Sequence, residues 1–113
     1  MSEVLYEYRV YEAAPGKMVA LQKRFESTTL PIFARHGITL LGFWTPVSGD
    51  NSELHYIVEW PDYDTMSRTW AAFRADEEWI AARHESDKDG ALVVRVRNQL
   101  WRMAPFAPKR PSP

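Results

Sequence analysis

The sequence predicts an α+β domain, with a four-stranded antiparallel sheet carrying two helices on one face. Three observations predict it. Segments rich in aromatic and β-branched residues lie at 4–11, 39–47, 53–60 and 92–103; all but the second alternate with period two, as half-buried strands do. Segments with apolar residues at three- and four-residue steps lie after the first strand and after the third, the spacing of an amphipathic helix. The two middle strands are separated only by Ser48-Gly49-Asp50-Asn51-Ser52, a turn composition that makes them a hairpin. The resulting β-α-β-β-α-β order is the ferredoxin-like one.

The first strand places Tyr6, Tyr8 and Val10 on one face and Leu5, Glu7, Arg9 and Tyr11 on the other. It stops at Pro15-Gly16, a turn signal. Met18 to His36 reads as the first helix, with Met18, Leu21, Phe25, Thr28 or Thr29 and Ile32 on its apolar side. Pro31 lacks the N–H that a continuous helix needs, so a kink or short break is expected near Thr28–Leu30, with Pro31 opening a new turn. His36-Gly37 ends the helix, Gly37 being the left-handed cap. The second strand, Thr39 to Val47, is apolar on both faces, and Gly42 within it marks a bulge or a close approach. In the third, Leu54, Tyr56, Val58 and Trp60 alternate with His55, Ile57 and Glu59. Asp62 or Asp64 caps a second helix from about Tyr63 to Arg74. Asp76, followed by Glu77 and Glu78, opens a short helix to about His84, its acids favourably placed at the positive end of the dipole. Glu85 to Gly90 reads as a loop, and Leu92 to Met103 as the last strand.

Composition narrows the class of function. The chain has 113 residues, 45% hydrophobic and 26% charged, which fits one folded domain. Its 14 basic and 15 acidic residues leave a net charge of −1, without the basic excess of a nucleic-acid binder. There is no cysteine, which removes disulfides, thiolate metal sites and a cysteine nucleophile and agrees with a reducing compartment. No apolar run reaches the roughly 20 residues of a membrane helix, and the N-terminus has no secretory pattern. A cytoplasmic protein is expected, without a nucleic-acid or membrane partner. Residues 1–104 form one ferredoxin-like domain. Residues 105–113 form a Pro-rich tail, expected to be extended and disordered beyond Pro108.

The sheet face away from the helices, if it carries Leu41, Phe43 and Ile57, needs a cover. Two such sheets facing each other supply one, so a homodimer with a barrel-like enclosure is expected.

Several stretches carry a family pattern. Tyr6-Glu7-Tyr8-Arg9-Val10-Tyr11 and Pro15-Gly16-Lys17 match Y-E-x-R-x-Y followed by P-G-K. His36-Gly37-Ile38 and Gly42-Phe43-Trp44 match a helix end and a second strand. Tyr63 and Arg68 fit the second helix. Asp76 and Trp79 fit D-P-E-W, with Glu77 in place of the usual proline. Trp101 to Pro108 resembles an ending P-T-P-F-S-P, with Ala104 and Ala107 replacing Thr and Ser. In this order, over residues 6–108, the chain resembles the NIPSNAP family within the dimeric α/β-barrel superfamily. The resemblance implies the fold and the dimer, and a NIPSNAP-type domain over 1–104. It implies no particular reaction, because the superfamily includes cofactor-independent monooxygenases, haem-degrading enzymes and isomerases.

The candidate site starts from Glu7 and Arg9, two apart and so on one face of the first strand. The ordinary reading is a wet ion pair worth about 0.2–1 kcal/mol. The functional reading is an arginine that holds an anionic or carbonyl group inside the barrel. On the expectation that this face lines the barrel, His55 and Glu59 join Arg9 as catalytic candidates, His55 as the natural base near neutral pH. Glu7, Tyr11, Trp44 and Arg68 are the ligand-binding candidates. Trp44 serves as a wall because Gly42 beside it leaves room, while Arg68 faces the site or pairs with Asp64. His36 has a structural place at a helix C-terminus. The three histidines have no metal-ligand spacing, so neither metal nor cofactor is expected. A haem-binding protein of this kind would need an axial histidine in the pocket. The functional expectation is therefore a monooxygenase- or isomerase-type enzyme acting on a small metabolite, with a non-catalytic ligand-binding or scaffold protein as the alternative.

Overall fold

The computed structural model describes residues 3–109 of the 113. Its elements follow the expected order: β1 (Leu5–Ala13), α1 (Met18–Arg24), a π-helical turn (Phe25–Thr29), α2 (Leu30–Arg35), β2 (Thr39–Trp44), β3 (Glu53–Trp60), α3 (Tyr63–Arg74), α4 (Glu77–Ser86) and β4 (Val93–Trp101). The sheet order is β2-β3-β1-β4, with every neighbouring pair antiparallel. This is the ferredoxin-like arrangement. Residues 110–113, for which an extended, disordered tail was expected, lie outside the described part. Just before them, Ala107 N–H donates to the Ala104 carbonyl in a turn, and Phe106 is 88% exposed, so among the described residues it is not packed against the body of the domain.

The kink or short break expected near Thr28–Leu30 takes the form of a π-helical turn ending at Thr29, not of a gap in the helix. The helix widens by one residue through the π turn, and Pro31 sits at the start of α2. A wider turn tolerates the missing N–H and the ring without a gap in the chain's helical path. Asp62 and Asp76 cap α3 and α4 as expected, accepting from Thr65 N–H at 2.7 Å and Trp79 N–H at 3.1 Å. α4 runs on to Ser86, two residues beyond its expected end, and buries none of its side chains. Among the described residues, no helix is long and apolar enough to cross a membrane.

The core lies between the helices and one sheet face. Leu54, Tyr56, Val58 and Trp60 of β3 are buried there, against Leu21, Phe25, Ile32, Phe33, Trp70 and Phe73 from the helices. The aromatic residues meet mostly edge to face: Phe33 packs on Phe73 at 5.0 Å and on Trp70 at 5.5 Å between ring centroids, geometries that add stability beyond area burial. Strand register then fixes which β1 residues share this face. Arg9 pairs with Tyr56 and Tyr11 with Leu54, so Leu5, Glu7, Arg9 and Tyr11 point toward the helices. The expectation that this face lines a barrel is therefore corrected.

β2 needs a second correction. Its register slips between Leu40 and Gly42, the bulge that Gly42 suggested. The slip turns Phe43 to the helix side, where its ring meets Phe25 at 5.0 Å. Phe43 therefore does not belong to the open face. Trp44 does, opposite His55.

Candidate functional site

Glu7 organises the helix-facing side. It is 1% exposed, and a buried carboxylate is tolerated only if it is paired and hydrogen-bonded. Glu7 Oε1 accepts from the indole N–H of Trp60 at 3.0 Å and of Trp70 at 2.7 Å. Oε2 accepts from Arg9 Nη1 at 3.0 Å and Asn98 Nδ2 at 2.9 Å. Burial alone pushes this carboxyl up. The Arg9 guanidinium and the donors from Trp70 and Asn98 outweigh burial and hold it below its ordinary value.

Arg9 is held as firmly. Nε donates to the Tyr56 hydroxyl at 2.8 Å and Nη2 to the Tyr11 hydroxyl at 3.3 Å. The guanidinium lies 4.4 Å from the centroid of Trp70, a cation–π contact. Burial opposes its charge, but Tyr56, Tyr11 and Glu7 outweigh that, so it stays protonated at every accessible pH. A guanidinium has five N–H groups. Those that Tyr56, Glu7 and Tyr11 do not engage have no acceptor among the described residues, and the side chain keeps 16% exposure.

That exposure opens into a cavity of about 370 Å³ between the β1–β4 side of the sheet and α3–α4. Arg9, Tyr11 and Arg24 line it together with Trp70, Phe73 and Trp79. Arg74, Arg83 and Arg95 also contribute, against one carboxylate, Asp87. Sequence reasoning missed Arg24. It is 7% exposed, and its Nη1 donates to Ser86 Oγ at 3.0 Å and Asp87 Oδ1 at 3.1 Å. Its Nε is buried with no acceptor, and burial pulls its pKa down. Its position between Leu21 and Phe25, on the buried arc of the helix, was the available signal. Asn98 and Tyr56 were missed as site residues because nothing local marks them: they reach Glu7 and Arg9 from 91 and 47 residues away.

Tyr11 completes the polar wall. Its hydroxyl oxygen accepts from Arg9 Nη2 and from the Tyr56 O–H at 3.2 Å. Its own proton is left without a protein acceptor among the described residues. Burial pushes the Tyr56 hydroxyl well above its ordinary pKa, which keeps that group a donor.

The other expected site residues lie elsewhere. His55 and Glu59 project from the opposite face of the sheet, so they do not join Arg9. There the Tyr8 hydroxyl lies 2.6 Å from His55 Nδ1, and His55 Nε2 lies 3.1 Å from Glu53 Oε1. Glu53 also accepts from Arg97 at 2.9 Å. Trp44 is on this face too, 50% exposed. Its ring covers Gly42 so closely that a Cβ there would sit 2.6 Å from it. Gly42 therefore makes room for Trp44 itself, and not for a ligand beside it. Arg68 is 71% exposed and pairs with Asp64 at 2.7 Å; it does not line the cavity. Of the expected set, then, Glu7, Arg9 and Tyr11 come together, while His55, Glu59, Trp44 and Arg68 stand apart from them. His36 bonds Asp76 at 2.7 Å, tying the end of α2 to the cap of α4.

Comparison with known proteins supports the fold and its family. No curated protein matches the chain. Solved structures do. An uncharacterized NIPSNAP-like domain protein from Burkholderia xenovorans is 21% identical, with 98% of this chain and 94% of that one covered at a TM-score of 0.82. A second B. xenovorans protein, with an uncharacterized NIPSNAP domain, is 23% identical over 93% and 99%, at 0.78. A NIPSNAP family protein of unknown function from Agrobacterium tumefaciens is 24% identical over 94% and 93%, at 0.80. At such identities these structures carry the fold and no activity. The NIPSNAP family model matches residues 6–108, nearly the whole chain, and this protein is therefore a member of the NIPSNAP family.

Proposed function

We propose that the protein binds a small organic anion in the cavity beneath α4, and that it does so as a homodimer. One observation carries the first part. The polar lining of the cavity is made almost entirely of donors, with Arg9, Tyr11 and Arg24 set among aromatic walls and the sole lining carboxylate, Asp87, already engaged by Arg24. A mainly apolar cleft with a few converging polar groups is the usual form of a small-molecule site, and donors without acceptors select a negative ligand. Monooxygenase- or isomerase-type chemistry would route protons through His55 or Glu59. A ligand held by Arg9 has neither on its side of the sheet, so the support goes to the ligand-binding alternative.

The second part rests on the open face. Tyr6, Tyr8 and Ile57 are half-buried there, and Trp44 and Trp101 are 50% and 41% exposed. Apolar surface of this extent across one sheet fits a covering partner, and a second copy offers the same face by two-fold symmetry.

Calorimetric titration of the purified chain with a mixed panel of organic acids tests the first part. At least one acid should bind saturably, and at least tenfold more weakly to Arg24→Gln. Failure of every acid to bind at millimolar concentration would refute it. Sedimentation equilibrium tests the second: twice the chain mass is expected for the wild type and the chain mass for Ile57→Arg. A wild-type monomer would overturn it.

A further inference from the structure

We infer that the ligand is a small aromatic monocarboxylate, its single negative charge resting on the donors of Arg9, Tyr11 and Arg24 and its flat ring against Trp70, Phe73 and Trp79. The inference rests on the reading of this cavity as an anion site and adds the chemistry of the anion.

Charge balance separates a carboxylate from a phosphate. The two deep arginines are not bare: Arg9 faces Glu7 at 3.0 Å and Arg24 faces Asp87 at 3.1 Å. Outside them, on the exposed rim, Arg83 shares Asp87 at 3.6 Å, Arg95 pairs with Glu12 at 3.0 Å, and Arg74 has no carboxylate partner among the described residues. The deep pairs are thus balanced, and the positive excess lies at the solvated rim. A dianion taken out of water onto Arg9 and Arg24 would be under-compensated, whereas a single negative charge costs less to bury there and has the rim arginines to balance it. The donors also suit the planar group. Arg9 retains guanidinium N–H groups without acceptors, and guanidinium and carboxylate share a plane and a bite. Tyr11 adds an O–H whose oxygen is already saturated by Arg9 and Tyr56, so it can only donate. This leaves the site rich in N–H and O–H groups for two oxygens and poor in acceptors for a ligand hydroxyl or amine.

The walls set the body. Phe73 and Trp79 lie 4.9 Å apart at a 31° tilt, and the Arg24 guanidinium lies 5.3 Å from the Trp79 ring. Val94 and Val96 of β4 close the other side. A space of about 370 Å³ is at the small end for ligand pockets, enough for one ring and its acid group. Arg24 also carries a cost without a ligand, since its buried Nε has no acceptor. An anion beside the guanidinium offsets that desolvation electrostatically.

The test uses the full chain and four probes: benzoate, acetate, phenyl phosphate and inorganic phosphate. Binding is read by calorimetry and by the change in near-ultraviolet circular dichroism of the tryptophans. Benzoate should bind at least tenfold more tightly than acetate and than phenyl phosphate, and should perturb the tryptophan bands. Tyr11→Phe should weaken benzoate about tenfold or more while leaving the far-ultraviolet spectrum unchanged. Phenyl phosphate binding as tightly as benzoate would overturn the monocarboxylate and leave the anion site standing. Acetate matching benzoate would overturn the aromatic body. Unchanged benzoate affinity in Tyr11→Phe would remove Tyr11 from the site. Failure of all four probes would overturn this inference, and the anion reading falls only if the wider panel of organic acids fails too. The probe comparison is made on the wild type, so it decides the matter even if Tyr11→Phe does not fold.

Discussion

Glu7→Gln is the perturbation that most directly measures how the buried network works. The substitution keeps shape and volume, and Oε1 can still accept from the Trp60 and Trp70 indoles. The change falls on the other side. An amide NH₂ would replace the oxygen that now accepts from Arg9 Nη1 and Asn98 Nδ2, setting donors against donors. At the same time the Arg9 guanidinium, whose side chain is only 16% exposed, would lose its counter-charge. Breaking one half of a buried ion pair costs about 3–5 kcal/mol, a large part of the roughly 5–15 kcal/mol that holds a domain of this size folded. With a urea slope of about 2 kcal/mol per molar, the midpoint should fall by about 2 M at an unchanged slope. The melting temperature should drop by about 10–20 °C. Urea titration followed by tryptophan emission and by circular dichroism measures both quantities needed. Asp64→Asn is the control, the same chemical change in an exposed pair with Arg68, and should leave the midpoint within error. A loss below about 1 kcal/mol for Glu7→Gln would refute the reasoning. It would mean that desolvation cancels the contacts that Glu7 makes.

Three further outcomes follow from the structure. Trp70→Phe removes a charged-acceptor hydrogen bond and the indole beneath Arg9 and should cost about 2–3 kcal/mol by thermal unfolding; a cost under 1 kcal/mol would show that water replaces the indole N–H. Asp76 is held down to about 2 from 3.8, by the hydrogen bond from His36 first and then by the Trp79 backbone and Arg35 against an opposing burial effect. A depressed carboxyl stabilises the fold fully above its unfolded value and loses that contribution as pH falls through its folded one, so acid titration should show stability declining between pH 3.8 and about 2, with a smaller decline in Asp76→Asn. Gly42→Ala forces the exposed end of the Trp44 ring away from a Cβ that would sit 2.6 Å from it. Trp44 emission should shift with little loss of monomer stability, and weaker self-association should appear by sedimentation. An unshifted spectrum would mean that the ring does not cover Gly42.

The element order was legible because each element carries its own local signal. Asp62 and Asp76 stand where caps belong, Gly42 stands at the slip in β2, and the two-residue alternation in β3 matches its burial residue by residue. Pro31 announced an irregularity but not its form. A break and a π turn both accommodate a missing N–H, and the packing of Phe25 and Thr29 into the core decides between them. Arg24 was overlooked because an arginine on an apolar arc looks like an error until Asp87 and Ser86, more than 60 residues later, are brought to it.

Alternation in β1 established that Glu7, Arg9 and Tyr11 share a face, and the spread of family motifs over residues 6–108 established the family. Only the tertiary structure decided which face the helices cover, and it reversed the expectation for Arg9 while separating it from His55 and Glu59. The physical reason is that a strand's period is symmetric: it sorts side chains into two sets but does not say which set is buried. Two charges near the start of the chain favour the wet side unless partners for them exist. Those partners, Tyr56, Trp60, Trp70 and Asn98, lie on three other elements and converge on Glu7 and Arg9 only in the folded chain.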